Sequence, residues 1–330
     1  MKIGVVGCGA LGSYYAAKLL RAGAETHFLL RSDFAAVRQQ GVQILSPDGD
    51  FRVQPVCARF PGEIGPCDLV LIGLKTTAND QFPSLLPPLV GKDTAVVTLQ
   101  NGLGNEALLA NLLGSDCVLG GLCFVCLNRI APGVVRHLAY GKIILGEFQR
   151  PAATRTHRIA DLFRHAGIPC EVTDTLERAR WEKLIWNVPF NGLGVAGAAG
   201  YEAVVRGALD PSVPPGRVLL TDDLLADSRW ENLARELMFE VIGAANARGL
   251  GVPPHLAEYQ IGQTRAMGPY RASTLIDYER GLPLELDSMF LEPLRQAREA
   301  GFPTPRLEAL CRVLVALHSG STRSGPAATL

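Results

Sequence analysis

Apolar positions along this chain follow two different periods. Up to about residue 172, short apolar runs alternate with amphipathic stretches: 2–6, 25–30, 68–74 and 94–99 read as strands, and 13–22 as a helix. Helical stretches between such strands predict right-handed crossovers and a parallel, doubly wound sheet. Residues 117–128, 134–138 and 142–147 are predicted as further strands, with Pro132-Gly133 and Tyr140-Gly141 as turns, so antiparallel strands extend the sheet. From about 173 the period becomes that of helices, over 176–188, 230–248, 254–267, 286–300 and 307–317. The predicted organisation is an α/β domain over 1–172 and an all-α domain over 173–318. A Ser/Gly/Ala/Pro-rich tail over 319–330 is expected to be disordered. Residues 198–222 contain Leu-Asp-Pro-Ser-Val-Pro-Pro-Gly, too proline-rich for one helix, and predict an exposed excursion.

Charge narrows the function classes. Lys+Arg and Asp+Glu are 32 each, so no net field favours nucleic acid or an anionic membrane. No apolar run is long enough for a membrane span, and glycines interrupt the early run 3–17 that superficially resembles a secretory leader. Eight cysteines are scattered through apolar segments rather than set in a framework, which predicts reduced thiols and a cytoplasmic protein. Cys123 and Cys126 form a C-x-x-C inside a predicted strand, where residues three apart face opposite sides. With the six histidines also dispersed, no metal site is expected.

The first chemistry lies in Gly7-Cys8-Gly9-Ala10-Leu11-Gly12. It follows a buried strand and opens a helix, the context in which G-x-G-x-x-G binds a dinucleotide. Gly7 permits the sharp turn, Gly9 lets backbone approach a pyrophosphate, and Gly12 lets helix pack on strand. The helix N-terminus adds unpaired N–H groups. The second strand ends in Arg31, whose guanidinium suits the 2′-phosphate of NADP; Asp33, two residues on, is the alternative ribose-binding acid of an NAD enzyme, or a helix cap. In the helical half, Lys183, Asn187 and Asn191 fall four apart and make one polar stripe. Spacing alone leaves two readings open: a lined pocket holding a proton donor, or a surface lysine with solvated or capping asparagines.

These residues carry a family resemblance. The turn at 7–12, Leu74-Lys75, Leu99-Gln100-Asn101-Gly102-Leu103-Gly104, Trp181-Glu182-Lys183-Leu184 with Asn187 and Asn191, Ser273, and Glu285-Leu286-Asp287 resemble the signature blocks of the ketopantoate reductases (2-dehydropantoate 2-reductases), in family order. The resemblance spans about residues 1–318. It implies a Rossmann domain joined to a helical domain of the 6-phosphogluconate dehydrogenase type, and reduction of a 2-oxo acid by NADPH, best matched by 2-dehydropantoate to pantoate in pantothenate synthesis. Lys183 is then the general acid, with burial depressing its pKa toward working pH. Asn101 contacts nicotinamide and substrate; Asn187, Asn191 and Ser273 bind the substrate carboxylate and carbonyl; Glu285 accepts the remote hydroxyl and helps hold the lysine. Lys75 matches a position near the cofactor, or is a solvated charge at a strand end.

Two departures bear on the substrate. Phe290-Leu291 stand where the family often has a small residue or Asn-Gly, and the 198–222 excursion exceeds the family norm. They leave open a reductase of a different or bulkier 2-oxo acid. A non-catalytic NADPH-binding redox sensor is the competing class, and the presence of Lys183, Asn187 and Glu285 together argues against it. The expected assembly is a monomer or homodimer.

Overall fold

The computed structural model describes residues 1–210 and 212–321, and the chain divides into two compact units, the first ending at Ala179 and the second beginning at Arg180. The first unit carries ten strands: β1 (Lys2–Val6), β2 (Glu25–Leu29), β3 (Val42–Leu45), β4 (Phe51–Val53), β5 (Val56–Ala58), β6 (Cys67–Ile72), β7 (Val90–Thr98), β8 (Val118–Ala131), β9 (Val134–Glu147) and β10 (Cys170–Thr173). They form one sheet in the order β4-β3-β9-β8-β7-β6-β1-β2-β5, with β10 also paired to β9. Strands β5, β2, β1, β6, β7 and β8 run parallel, and β8 turns back antiparallel into β9. The parallel half buries both faces. Ile3, Val5, Leu69, Leu71 and Val97 pack to one side, and Val6, Val70, Ile72 and Val96 to the other, each at most 1% exposed. Full burial of such side chains contributes roughly 1.5–3 kcal/mol each.

The helix Ala10–Arg21 ties the two halves of the sheet together. Tyr15 Oη donates to the Gly141 carbonyl at 3.3 Å, and the Tyr14 ring lies 4.7 Å from that of His137 on β9. Residues 134–138 and 142–147 belong to one strand, so Tyr140-Gly141 is no turn. Because β8 continues alongside both segments, the extra residue is absorbed as a bulge: the register steps from Phe124–Lys142 to Val125–Tyr140, with Tyr140 at φ +65° and Gly141 at φ +142°. The sequence reading also lacked β3, β4, β5 and β10. Pairing of β10 with β9 keeps residues 170–173 in the first unit, so the division falls inside the helix Leu176–Ala196 rather than at 172/173.

Among the described residues of the second unit there is no strand. The helix Leu176–Ala196 extends eight residues beyond the expected end at 188, and Ser228–Ala247, Leu256–Met267 and Pro305–Ser321 match expected helices. The segment expected as one helix over 286–300 begins instead with a π-helical turn, Asp287–Leu291, before Glu292–Glu299. Within the 198–222 excursion, Tyr201–Arg206 is a short helix and the following residues 207–220 belong to no regular element where described. Of the tail expected over 319–330, residues 319–321 belong to the last helix, and 322–330 lie outside the described residues. No described helix is long and apolar enough to cross a membrane.

Candidate active site

In the first unit, parallel pairing puts the residues that follow β1, β2, β5, β6 and β7 along one edge of the sheet. Backbone bonds prolong the ladders there: Gly73 N–H to Val6 O at 2.8 Å, Leu99 N–H to Ile72 O at 2.9 Å and Leu30 N–H to Ala58 O at 2.9 Å. The glycine turn, Arg31, Lys75 and Asn101 therefore share the carboxyl edge, where open parallel sheets bind ligands.

Each glycine of the turn has a distinct reason. Gly7 sits at φ +93°, and a Cβ there would lie 2.2 Å from Leu74 N; a Cβ on Gly12 would lie 2.3 Å from Gly7 O. These two are sealed by backbone. Gly9 has nothing within 4 Å, so its backbone faces open space at the start of the helix Ala10–Arg21, whose first turn has no acidic residue and no capping side chain. That combination fits a pyrophosphate. Burial, reinforced by Cys57 and Asp33, pushes the Cys8 thiol well above its ordinary range, so it adds no negative charge to the turn.

Arg31 is exposed at the end of β2, and Asp33 is buried, 6% exposed. Its carboxylate makes no helix-capping bond. It accepts instead from Arg129 Nη2 at 2.6 Å, from the Gly133 N–H at 3.1 Å and from Ser32 Oγ at 3.0 Å. Beyond β5, Arg59 stacks its guanidinium 4.3 Å from the Phe34 ring centre, a second exposed cation that the sequence reading did not single out. Lys75 is exposed at the start of the 3-10 helix Thr76–Gln81.

Asn101 rests on an amide network. Thr98 Oγ1 donates to Gln100 Oε1 at 3.0 Å and Gln100 Nε2 to Asn79 Oδ1 at 2.8 Å; Asn79 Nδ2 donates to Asn105 Oδ1 at 2.9 Å, and Asn105 Nδ2 to the Asn101 carbonyl at 2.9 Å. Thr98, Gln100 and Asn105 are at most 3% exposed, so these polar groups are buried because they are satisfied by one another. Gly102 (φ +83°) and Gly104 (φ +86°) supply the left-handed conformations of the loop. Gln100, Asn101, Gly102 and Gly104 stood in the blocks read from sequence; Asn79 and Asn105 did not, and their bond to each other is made by folding.

In the second unit, Lys183, Asn187 and Asn191 lie on successive turns of the helix Leu176–Ala196. Lys183 is half-buried, while Asn187 and Asn191 are 7% and 2% exposed, too buried for the solvated-asparagine reading. Asn191 Nδ2 lies 3.4 Å from Asn187 Oδ1, and Asn191 Oδ1 accepts from the Thr274 N–H at 3.1 Å and lies 3.4 Å from Ser273 Oγ. Three of the expected substrate residues are thus brought together, with Ser273 exposed at their rim. Glu285 is half-buried just before the π-helical turn, a distortion that recurs at functional sites. Phe290, one of the two residues that depart from the family pattern, is part of the core. It is 1% exposed and occupies the notch at Gly192, where a Cβ would lie 2.9 Å from Phe290 Cε1.

Known proteins agree with this architecture. The profile of ketopantoate reductase PanE/ApbA matches residues 3–150, and that of its C-terminal domain matches residues 217–318. A 2-dehydropantoate 2-reductase of Nostoc sp. is 38% identical over 98% of this chain and 97% of its own length. Among solved structures, the 2-dehydropantoate 2-reductase of Geobacter metallireducens is 43% identical, covers 96% of this chain and 99% of that one, and superposes with a TM-score of 0.88. That of Methylococcus capsulatus is 30% identical over 98% and 99%, with a TM-score of 0.85. A D-mandelate dehydrogenase crystallised with NADH shares the fold at a TM-score of 0.84 and 17% identity. Two matched profiles over both units, and a relative aligned along nearly the whole length, establish that the chain belongs to the ketopantoate reductase family.

Proposed function

We propose that this chain reduces 2-dehydropantoate to pantoate with NADPH, the reaction for which its relatives are named, and so serves pantothenate synthesis in the cytoplasm. The observation that carries the reading is the buried Asn187–Asn191 pair below Lys183, bonded to the segment of Ser273 and Thr274. The glycine turn 7–12 and Arg31, with Lys75 and Asn101, would hold the nucleotide. Asp33 is already engaged by Arg129 and Gly133, which leaves Arg31 to meet a 2′-phosphate and favours NADP over NAD.

When bound, NADPH supplies the hydride taken up by the carbonyl carbon of the 2-oxo acid. Charge then develops on the carbonyl oxygen, and Lys183 Nζ, carrying a proton, gives it to that oxygen to complete the alcohol. Asn187, Asn191 and Ser273 orient the carboxylate and carbonyl through neutral groups, and Glu285 accepts the remote hydroxyl and helps hold the lysine. A redox sensor without catalysis has no use for this set.

Steady-state assays on a panel of 2-oxo acids, with NADPH and NADH side by side, test the proposal. 2-Dehydropantoate with NADPH is expected to give the highest kcat/KM. A far higher value for a bulkier acid, or for NADH, overturns the corresponding half.

A further inference from the structure

The 198–222 excursion has no part in the chemistry above, yet it returns to the helix that carries it. That helix has glycines at 192 and 194, and Gly197 opens the 3-10 turn that follows it. The Leu219 N–H donates to the Gly194 carbonyl at 2.9 Å, and the Leu219 side chain fills the space at Gly197, where a Cβ would lie 2.5 Å from Leu219 Cδ1. The returning strand of chain thus caps a carbonyl near the helix end. Two residues later, Thr221 is 2% exposed and grips a second segment. Its Oγ1 donates to the Gly268 carbonyl at 2.8 Å and accepts from the Tyr270 N–H at 2.8 Å, and its own N–H donates to Tyr270 O at 3.2 Å. Arg217 braces the approach with paired bonds of 2.6 and 2.7 Å to Asp223, whose Oδ2 also accepts from the Leu220 N–H at 2.9 Å.

These bonds close a ring. From Asn191 the path runs through Ser273 and Thr274, back along the chain to Tyr270 and Gly268, across to Thr221 and Leu219, and returns at Gly194, three residues from its start. Every link is a directed hydrogen bond or a short covalent span, so the ring connects the Thr221 hydroxyl to the Ser273–Asn191 contact.

We infer that Thr221 is a positioning residue for 2-oxo acid binding and that the excursion is a strut behind Ser273. The inference rests on the reading of Asn191 and Ser273 as substrate-binding residues. Thr221→Val keeps the shape and removes the hydroxyl, leaving Gly268 O and Tyr270 N–H without that partner. It is expected to raise KM for the 2-oxo acid by about 10- to 100-fold, the scale set by small misplacements of a binding group, while kcat changes about twofold at most and the Kd for NADPH stays constant. Thr221→Ser retains the hydroxyl and should restore KM to within about twofold of the parent.

A merely structural role predicts a lower Tm in Thr221→Val with KM unchanged, and that result overturns the inference. Should Thr221→Val not fold, Arg217→Ala decides in its place: Arg217 is 69% exposed, its loss loosens the same segment from outside, and KM should rise in the same direction. An unchanged KM in the folded Arg217→Ala enzyme overturns the strut. Ser273→Ala, assayed alongside, separates the two layers of the argument. If it raises KM and Thr221→Val does not, the strut alone fails; if Ser273→Ala leaves KM unchanged, the substrate-site reading fails and takes the strut with it.

Discussion

Arg129 reaches across 96 residues of sequence to bond Asp33 Oδ1 at 2.6 Å, and the Gly133 N–H takes the other carboxylate oxygen at 3.1 Å. An acid just past the second strand is the hallmark of ribose recognition in NAD enzymes, so its neighbours decide whether that role is open. Here the carboxylate is 6% exposed and has partners on both oxygens, which makes it a clasp between the β2 end and the β8–β9 hairpin. Arg31, two residues earlier and exposed, is left as the charged group at the strand end.

Cofactor preference follows from that division of labour. Arg31→Ala should weaken NADPH by about 1–3 kcal/mol, the range for loss of a charge-assisted hydrogen bond, and barely change NADH. Fluorescence titration of both nucleotides checks this. Equal losses would remove Arg31 from 2′-phosphate recognition.

The glycine turn separates stability from binding. Gly9→Ala meets no atom within 4 Å, so Tm should hold while the added methyl obstructs the pyrophosphate and NADPH affinity falls. Gly12→Ala drives a Cβ to 2.3 Å from Gly7 O and must push the helix off β1, costing about 1–3 kcal/mol of stability as well as affinity. Calorimetry beside nucleotide titration distinguishes the two variants.

What the sequence revealed depended on range. The turn 7–12 was legible because each glycine acts on atoms a few residues away or on the next strand, and the Lys183–Asn187–Asn191 stripe because four-residue spacing is intrinsic to a helix. The helical half was legible for the same reason. By contrast, β4 and β5 have three residues each and show no clear alternation of buried and exposed positions, so they carry little periodic signal. The Tyr140-Gly141 pair has turn chemistry, yet the neighbouring strand β8 makes it a bulge. Arg129, Asn79, Asn105 and Thr221 each have at least one partner 26 or more residues away, which no local pattern encodes. The packing of Phe290 was not legible either, because its partner, the bare notch at Gly192, lies on another helix.

Acid sensitivity should trace to Glu147. Its side chain is fully buried at the end of β9; burial pushes its pKa up, but bonds from Arg155 and Thr156, with help from Arg150, outweigh this and hold it below the ordinary value of 4.5. A depressed carboxyl pKa contributes stability that is fully present above the unfolded value and is lost as pH falls through the folded one. Glu147→Gln should therefore cost about 1–3 kcal/mol at neutral pH. That difference should stay constant down to about pH 5.5 and shrink below about pH 4.5. Urea unfolding of both proteins across pH 3–8 measures it; a difference independent of pH throughout would show that the charge of Glu147 is not what stabilises this corner.

Lys183 decides whether the helical unit performs chemistry. If its ammonium protonates the developing alkoxide, Lys183→Ala should lower kcat by about 10²–10⁴-fold, the usual span for general acid catalysis. NADPH affinity should stay near the parent value, because the glycine turn and Arg31 lie in the first unit. The pH profile gives an independent reading. The parent rate should fall at high pH as the lysine loses its proton, and the alanine variant should lack that limb. Lys183→Arg keeps the charge but should fail as well, since a guanidinium holds its proton far above neutrality and offers a poor acid. Asn187→Ala, one turn along the same face, should act mainly on KM if that amide only orients the substrate, so the two substitutions together separate proton transfer from positioning. A folded Lys183→Ala protein that binds NADPH and reduces 2-dehydropantoate at close to the parent rate would exclude Lys183 as the acid and turn attention to Glu285, the other half-buried ionisable residue assigned to this site.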